Sequence, residues 1–220
     1  MKIPEVKLKA FIDVMLDLIR TNYDTAVDKT TTFLYKALEG LETGNYVFLD
    51  EAIKIFVRDE DDPRIIDTRL MYDHKRASIP TIHVTVPGET PYSDGIGMDR
   101  GYVPNLATGD PQTATSMTEY LTRSYNTKFN LVVTGSNSFE VILITQILKS
   151  ALIVNFMSLE YNGFRNPKIY AMDVKMNDQI SPNAYARILV LDSFYELNVP
   201  NFEEISVVNS INFTGDMYND

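Results

Sequence analysis

The stretch from Phe139 to Leu159, FEVILITQILKSALIVNFMSL, limits the fold more than any other part of the chain. It is long enough to span a bilayer, but Glu140, Gln146, Lys149 and Asn155 interrupt it. Charged groups near a bilayer centre are costly. The segment therefore reads as a buried helix of a soluble domain, the most apolar helix in the protein. Asn137 or Ser138 can cap its start, because a short oxygen-bearing side chain accepts a hydrogen bond from a free backbone N–H. The residues before it, YLTRSYNTKFNLVVT, alternate and put Leu121, Tyr125, Phe129, Leu131 and Val133 on one strand face. A helix this apolar, entered directly from a half-buried strand, is expected to lie across a sheet.

The other elements follow from periodicity. Leu8, Phe11, Ile12, Met15, Leu18 and Ile19 recur at helical spacing over 5–22, with Pro4 suited to the first turn. A second helix is expected over 25–39, with Val27, Leu34 and Leu38 as core residues and Gly40 and Gly44 as stops. YVFLDEAIKIFVR, from Tyr46, is rich in β-branched and aromatic residues and reads as one or two strands. RDEDDPR then reads as a charged turn. IPTIHVTV reads as a strand, with Ile82, Val84 and Val86 opposite Thr81, His83 and Thr85. RNPKIYAMDVKM, AYARILVLDSFYELNV and ISVVNSINF supply the last strands, with Pro182 and Pro200 marking hairpins, since proline cannot donate to a ladder. Segregated helices and short links between strands imply α+β: N-terminal helices, then a mainly antiparallel sheet with one long apolar helix packed across it.

Between these strands lies VTVPGETPYSDGIGMDRGYVPNLATGDPQTATSM, with five glycines and four prolines. It reads as a long loop at about 87–117, inserted into a single domain that covers 1–220. Loops of this length are functional or disordered.

Charge narrows the function. The formal net charge is −10. That disfavours gripping nucleic acid through its phosphates or binding an anionic membrane. It remains compatible with a wall that DNA slides past, because a negative surface repels phosphates. The chain has no cysteine, so a disulfide framework, a thiol nucleophile and a thiolate metal site are all excluded. MKIPEVKLKAF lacks the apolar core of a signal peptide.

Each candidate for chemistry has a plainer reading. Gly95, Gly97 and Gly101 superficially match a dinucleotide fingerprint, but Pro91 and Pro104 flank them and no amphipathic helix follows. Asp59, Glu60, Asp61 and Asp62 lack the alternating spacing and the glycine of a calcium loop. His74 and His83 have no histidine partner at helical spacing, and there is no nucleophile elbow. Asp50/Glu51 and Glu203/Glu204 are sequence neighbours, which point to opposite faces of a strand. Arg123 and Lys128 alone accompany the aromatics of one strand, too few for a base-stacking platform. No catalytic, cofactor-binding or metal-ligating residue is assigned, and no cofactor is expected. The aromatic residues suit an interface.

Three stretches carry a resemblance: RSYNTKFNLVVTGSNSFEVILITQIL, MNDQISPNAYARILVLDSFYELNVP and ISVVNSINF. With the order of elements over about 5–215, they resemble the tail terminator and neck-ring proteins of tailed bacteriophages. The resemblance implies a virion structural protein with no enzyme activity, assembled in the host cytoplasm. Its subunits would form a homo-oligomeric ring, six- or twelve-fold, joining head and tail. The ring would meet neighbouring neck, tail or portal-proximal proteins, and DNA would pass through without specific binding. Terminators are often shorter, and the 87–117 segment looks like an insertion. Two rivals stand beside this expectation. One is a small-molecule enzyme or binding domain with 87–117 as a lid. The other is an adaptor that dimerises through a sheet edge.

Overall fold

The computed structural model describes residues 3–44, 46–57, 64–70, 80–92, 99–105, 116–173 and 185–206. Helices α1 (Pro4–Thr25), α2 (Phe33–Leu38) and α3 (Phe48–Phe56) come first, with a two-stranded ladder of β1 (Glu42–Thr43) and β2 (Tyr46–Val47) between α2 and α3. Strands β3 (Asp67–Leu70), β4 (Thr81–Pro91), β5 (Asp99–Asn105) and β6 (Ser116–Gly135) follow. Then come helices α4 (Ser138–Val154) and α5 (Phe156–Tyr161), and strands β7 (Phe164–Asp173) and β8 (Tyr185–Ser206). The fold is α+β. The sheet is mixed, in the order β3-β4-β6-β8-β7, with β5 also pairing to β6.

The chain divides into two compact units. Of the described residues, the larger holds those in Lys2–Pro91 and Tyr125–Tyr195, and the smaller those in Tyr92–Ser124 and Glu196–Asp220. The division falls inside β6 and inside β8.

In the larger unit β3 runs parallel to β4, from Asp67↔Thr81 to Leu70↔Val84. β4 runs antiparallel to β6, and β7 antiparallel to β8. Both antiparallel ladders slip register at a proline. The shift between Thr85 and Gly88 contains Pro87, and the shift between Arg165 and Lys168 contains Pro167. Proline brings no N–H to a ladder, so a bulge is where a strand tolerates it. Asn166, beside Pro167, takes a left-handed φ of 50°, a conformation that asparagine adopts more readily than most residues.

Alternation decides which sheet face is covered. Ile82, Val84, Phe129, Leu131, Val133, Leu189 and Leu191 are buried, whereas His83, Thr85, Asn130 and Val132 are partly exposed and Lys128 is exposed. The buried face joins one core with Leu8, Ile12, Met15 and Ile19 of α1 and Val141, Ile144, Ile147 and Leu152 of α4. α1 packs on β3 and β4, while α4 touches β7, α2, α3 and α5.

Several sequence expectations are corrected. The apolar segment is not one long helix: α4 ends at Val154 and α5 restarts at Phe156. The break is Asn155, whose backbone N–H and side-chain Nδ2 both donate to the Ala151 carbonyl, at 3.2 and 2.8 Å. The helix layer over the sheet is shared with α1. The helix expected over 25–39 is a 3-10 turn, Lys29–Thr31, followed by α2. Asp28 accepts from the Thr30 N–H and Thr32 accepts from the Tyr35 N–H, so both side chains divert backbone donors and restart the chain. Val27 is fully exposed and Leu18 largely so, although both have core spacing.

The stretch read as strand after Tyr46 is α3. Phe48, Ala52, Ile55 and Phe56 are its buried residues, at helical spacing, with Asp50 and Glu51 in the first turn and Lys54 in the last. Arg20 of α1 holds the end of α3: its Nε donates to the Phe56 carbonyl at 3.1 Å and a terminal nitrogen to the Ile66 carbonyl at 3.5 Å.

The 87–117 segment is not wholly loop. β4 continues to Pro91, and β5 pairs antiparallel with β6 in the smaller unit, from Asp99↔Thr122 to Asn105↔Ser116. Pro200 does not end a strand, since β8 runs to Ser206. Pro182 and the rest of ISVVNSINF after Ser206 lie outside the described residues.

Candidate functional site

Most residues singled out for chemistry are not brought together. Gly101 is a β5 residue opposite Tyr120, which is no phosphate cradle. Gly95, Gly97, His74 and the run Asp59–Asp62 lie outside the described residues. His83 stands beside Arg69 across the parallel β3–β4 pair. Burial holds its pKa below the usual histidine value, the Arg69 charge lowers it further, and Asp67 opposes both. Asp67 is itself ion-paired to Arg69 at 2.7 Å. Asp50 and Glu51 sit on a helix, not a strand. Glu51 is engaged by Lys54 at 3.0 Å and Arg64 at 3.5 Å, while Asp50 is exposed. Glu203 and Glu204 fall within β8, and Arg123 and Lys128 are exposed on β6. Among the described residues no group of three His, Cys, Asp or Glu side chains could hold a metal ion. Among them, too, no helix is long and apolar enough to cross a membrane.

A cluster that the sequence did not reveal lies at the start of α4. Asn137 caps the helix by accepting from the Glu140 N–H at 2.8 Å. Glu140 then turns back toward the β6 end. One carboxylate oxygen, Oε2, accepts from the Ser136 N–H and from Ser136 Oγ, the latter at 2.7 Å. The residue is buried to 2% exposure, and its other oxygen, Oε1, has no hydrogen-bond partner.

Tyr46 stands next to it. Its ring lies 4.8 Å from Phe48, edge-on, and 5.2 Å from Phe139, stacked. The Tyr46 hydroxyl is buried without a partner, although the residue as a whole is only partly buried. Its pKa is pushed up to about 12, chiefly by burial and then by the charges of Glu51 and Glu140, with Arg64 opposing. This is a packed aromatic corner with one hydroxyl and one carboxylate oxygen left over. It has no convergent nucleophile, base and acid.

Three hollows among the described residues of the larger unit are open surface grooves. One of about 450 Å³ lies between α1 and α5, lined by Lys7, Phe11, Val14, Leu18, Ser158 and Asn162 among others. A smaller one, of about 160 Å³, lies between α1, α2 and the end of α4, where Leu18, Phe33 and Val154 meet. A third, of about 480 Å³, is bounded by Met157, Glu160, Tyr161 and Arg165. The first two mix apolar side chains with amides, a hydroxyl and Lys7, and the third sets Met157 and Tyr161 beside Glu160 and Arg165, open mixed surfaces that suit a polypeptide segment better than a reacting small molecule. No family model matches this chain, and no curated protein matches it either.

Proposed function

We propose that this chain is a structural subunit of a ring in the neck or tail of a tailed phage, as the resemblance in its sequence implies. The observation that supports it most is the β5–β6 ladder, which pairs part of the segment 87–117 with the first third of β6. Seven residue pairs, Asp99↔Thr122 to Asn105↔Ser116, make β5 and the start of β6 an antiparallel pair within the smaller compact unit. A lid over a reaction centre would close on convergent polar groups. An antiparallel pair of this kind suits pairing to the sheet edge of a neighbouring subunit. Rings use head-to-tail contacts whose rotation closes, and a strand-pairing arm is one such contact. The charge of −10 fits a channel that repels DNA phosphates and lets the duplex slide.

The test is limited proteolysis joined to mass measurement. The free protein should be cut first within 87–117, and assembly into a closed oligomer of six or twelve copies should protect that stretch. Equal cutting before and after assembly, or turnover of a metabolite by a single copy, would overturn the proposal. A neutral or basic channel in the assembled ring would refute its electrostatic part.

A further inference from the structure

Helix α4 is apolar over most of its circumference, and a helix that apolar is largely covered in a folded protein. Here one side is bare. Phe139, Ile142, Gln146 and Ile153 are exposed, and Lys149 is partly so. These five positions are spaced by 3, 4, 3 and 4 residues, the seam of a coiled coil. The seam is close to symmetric, its inner members Ile142 and Lys149 lying four residues before and three after Gln146. Phe139 and Ile153 lie seven residues either side of Gln146, with Ile142 and Lys149 between.

We infer that this stripe is the contact with a second copy of the same chain, α4 packed antiparallel on α4 about Gln146. In that register Phe139 of one copy faces Ile153 of the other, and the two Gln146 amides meet on the two-fold axis. A polar residue at the centre of an otherwise apolar seam fixes register and orientation. Ile142 of one copy lies under the Lys149 stem of the other, which leaves the ammonium at the rim.

The area agrees with a copy as occupant. The apolar surface continues from Ile153 to Val154 (73% exposed), and through the small groove to Leu18 (58%), with Val14 (59%) beyond it on α1. Together with Phe139, Ile142 and Ile153 these side chains expose on the order of 600 Å², at the upper end for a lone domain. That is close to the ~800 Å² per partner of a standard interface. Charge agrees as well. The α4 stripe holds a single charge, Lys149, in a chain of net −10, and the carboxylates beside Val14 and Leu18, Asp13 and Asp17, are paired to Lys9 and Arg20.

The inference stands apart from the ring proposal, since a two-fold contact can make a dimer alone or join two rings back to back. The chain has no cysteine, so one engineered thiol reports one position. Full-length Gln146→Cys should form a covalent dimer under mild oxidation or with a short bis-maleimide. The rate should be about tenfold or more above that of Val27→Cys, a fully exposed control, because a shared axis raises the effective concentration. Wild-type protein should sediment as a dimer or a multiple of it at micromolar concentration, and Ile153→Asp should sediment with half the mass and an unchanged circular dichroism spectrum.

Equal cross-linking of the two thiols would overturn the inference. So would a monomeric wild type whose Gln146→Cys variant is shielded from labelling, since the chain's own residues would then cover the stripe. A mass that Ile153→Asp leaves unchanged, or pairing seen only with a different protein, would overturn it too. Should Ile153→Asp fail to fold, the comparison of the two thiols decides alone. A dimer that never closes into a ring leaves this inference intact and removes the ring.

Discussion

Replacing Tyr46 by Phe removes one atom and leaves the ring. The contacts with Phe48 and Phe139, at 4.8 and 5.2 Å, should therefore survive. What disappears is a hydroxyl that is buried and has no partner. Burying such a group unpaired costs about 1–3 kcal/mol in mutational series. Tyr46→Phe should thus stabilise the fold by about 1 kcal/mol at neutral pH, whereas Tyr46→Ala should destabilise it by about 3 kcal/mol through lost ring packing.

The same hydroxyl supplies a second readout. Its folded pKa is about 12, against 10.0 for the free side chain. The folded protein then holds this proton more tightly than the unfolded chain does. The contribution is fully present below 10 and is lost as pH rises toward 12, because the unfolded chain ionises first. The gap between the two values bounds the loss, and partial exposure of the residue screens it to about 1 kcal/mol. Urea denaturation of wild type and Tyr46→Phe, at neutral pH and above pH 10, measures both effects. The advantage of the variant should widen in alkali by that amount. A variant less stable than wild type by more than about 1 kcal/mol would mean that the hydroxyl has a partner. An advantage that stays flat with pH would show that burial does not perturb its ionisation.

Other variants probe the joints between elements. A Cβ on Gly135 would stand 2.8 Å from both Val141 Cγ2 and Glu140 Oε2, so Gly135→Ala should lose about 1–3 kcal/mol by overpacking. Val141→Ala in the same chain should recover part of that loss in chemical denaturation. Arg20→Ala should lose about 1.5 kcal/mol by leaving the Phe56 and Ile66 carbonyls without their cation. Arg20→Lys should regain little, because one ammonium replaces a fork. Self-association should tighten as sodium chloride is added, since each copy carries −10 and salt screens the repulsion while apolar contact persists. Sedimentation that loosens with salt would place the contact on charged groups instead.

Where burial follows a single period, the sequence is readable. The alternation of Ile82 with Val84, and of Phe129 with Leu131 and Val133, survives intact as the covered face of the sheet. Asn137 caps α4 and Pro4 opens α1, as their chemistry dictates. α3 passes for a strand because Phe48, Leu49, Ala52, Ile53, Ile55 and Phe56 are dense enough to satisfy both periods. Its acidic first turn is the better signal. β5 is hidden by Gly101 and Pro104, residues of low strand preference that pair here because β6 offers a partner edge. The Tyr46–Glu140 corner is not legible at all. It joins residues far apart in the chain, and only the packing of β2 and α3 against the α4 start brings them together.

The density of apolar residues in α4 explains both the ease of finding that helix and the difficulty of reading its outer face. With Val141, Leu143, Ile144, Ile147, Leu148, Ala151 and Leu152 already filling the core, only Gln146 and Lys149 mark the side that meets solvent. An ordinary surface helix would carry Lys or Glu at 139, 142 and 153; this one carries Phe, Ile and Ile. Such substitutions would make the isolated chain more soluble without disturbing its core. Their absence makes sense if the working form of the protein has more than one copy. The −10 charge then has a companion role, keeping acidic surfaces apart and leaving the apolar seam as the place where copies meet. On the dimer we infer, fold and assembly would draw on the same helix, one side closing the sheet and the other joining subunits.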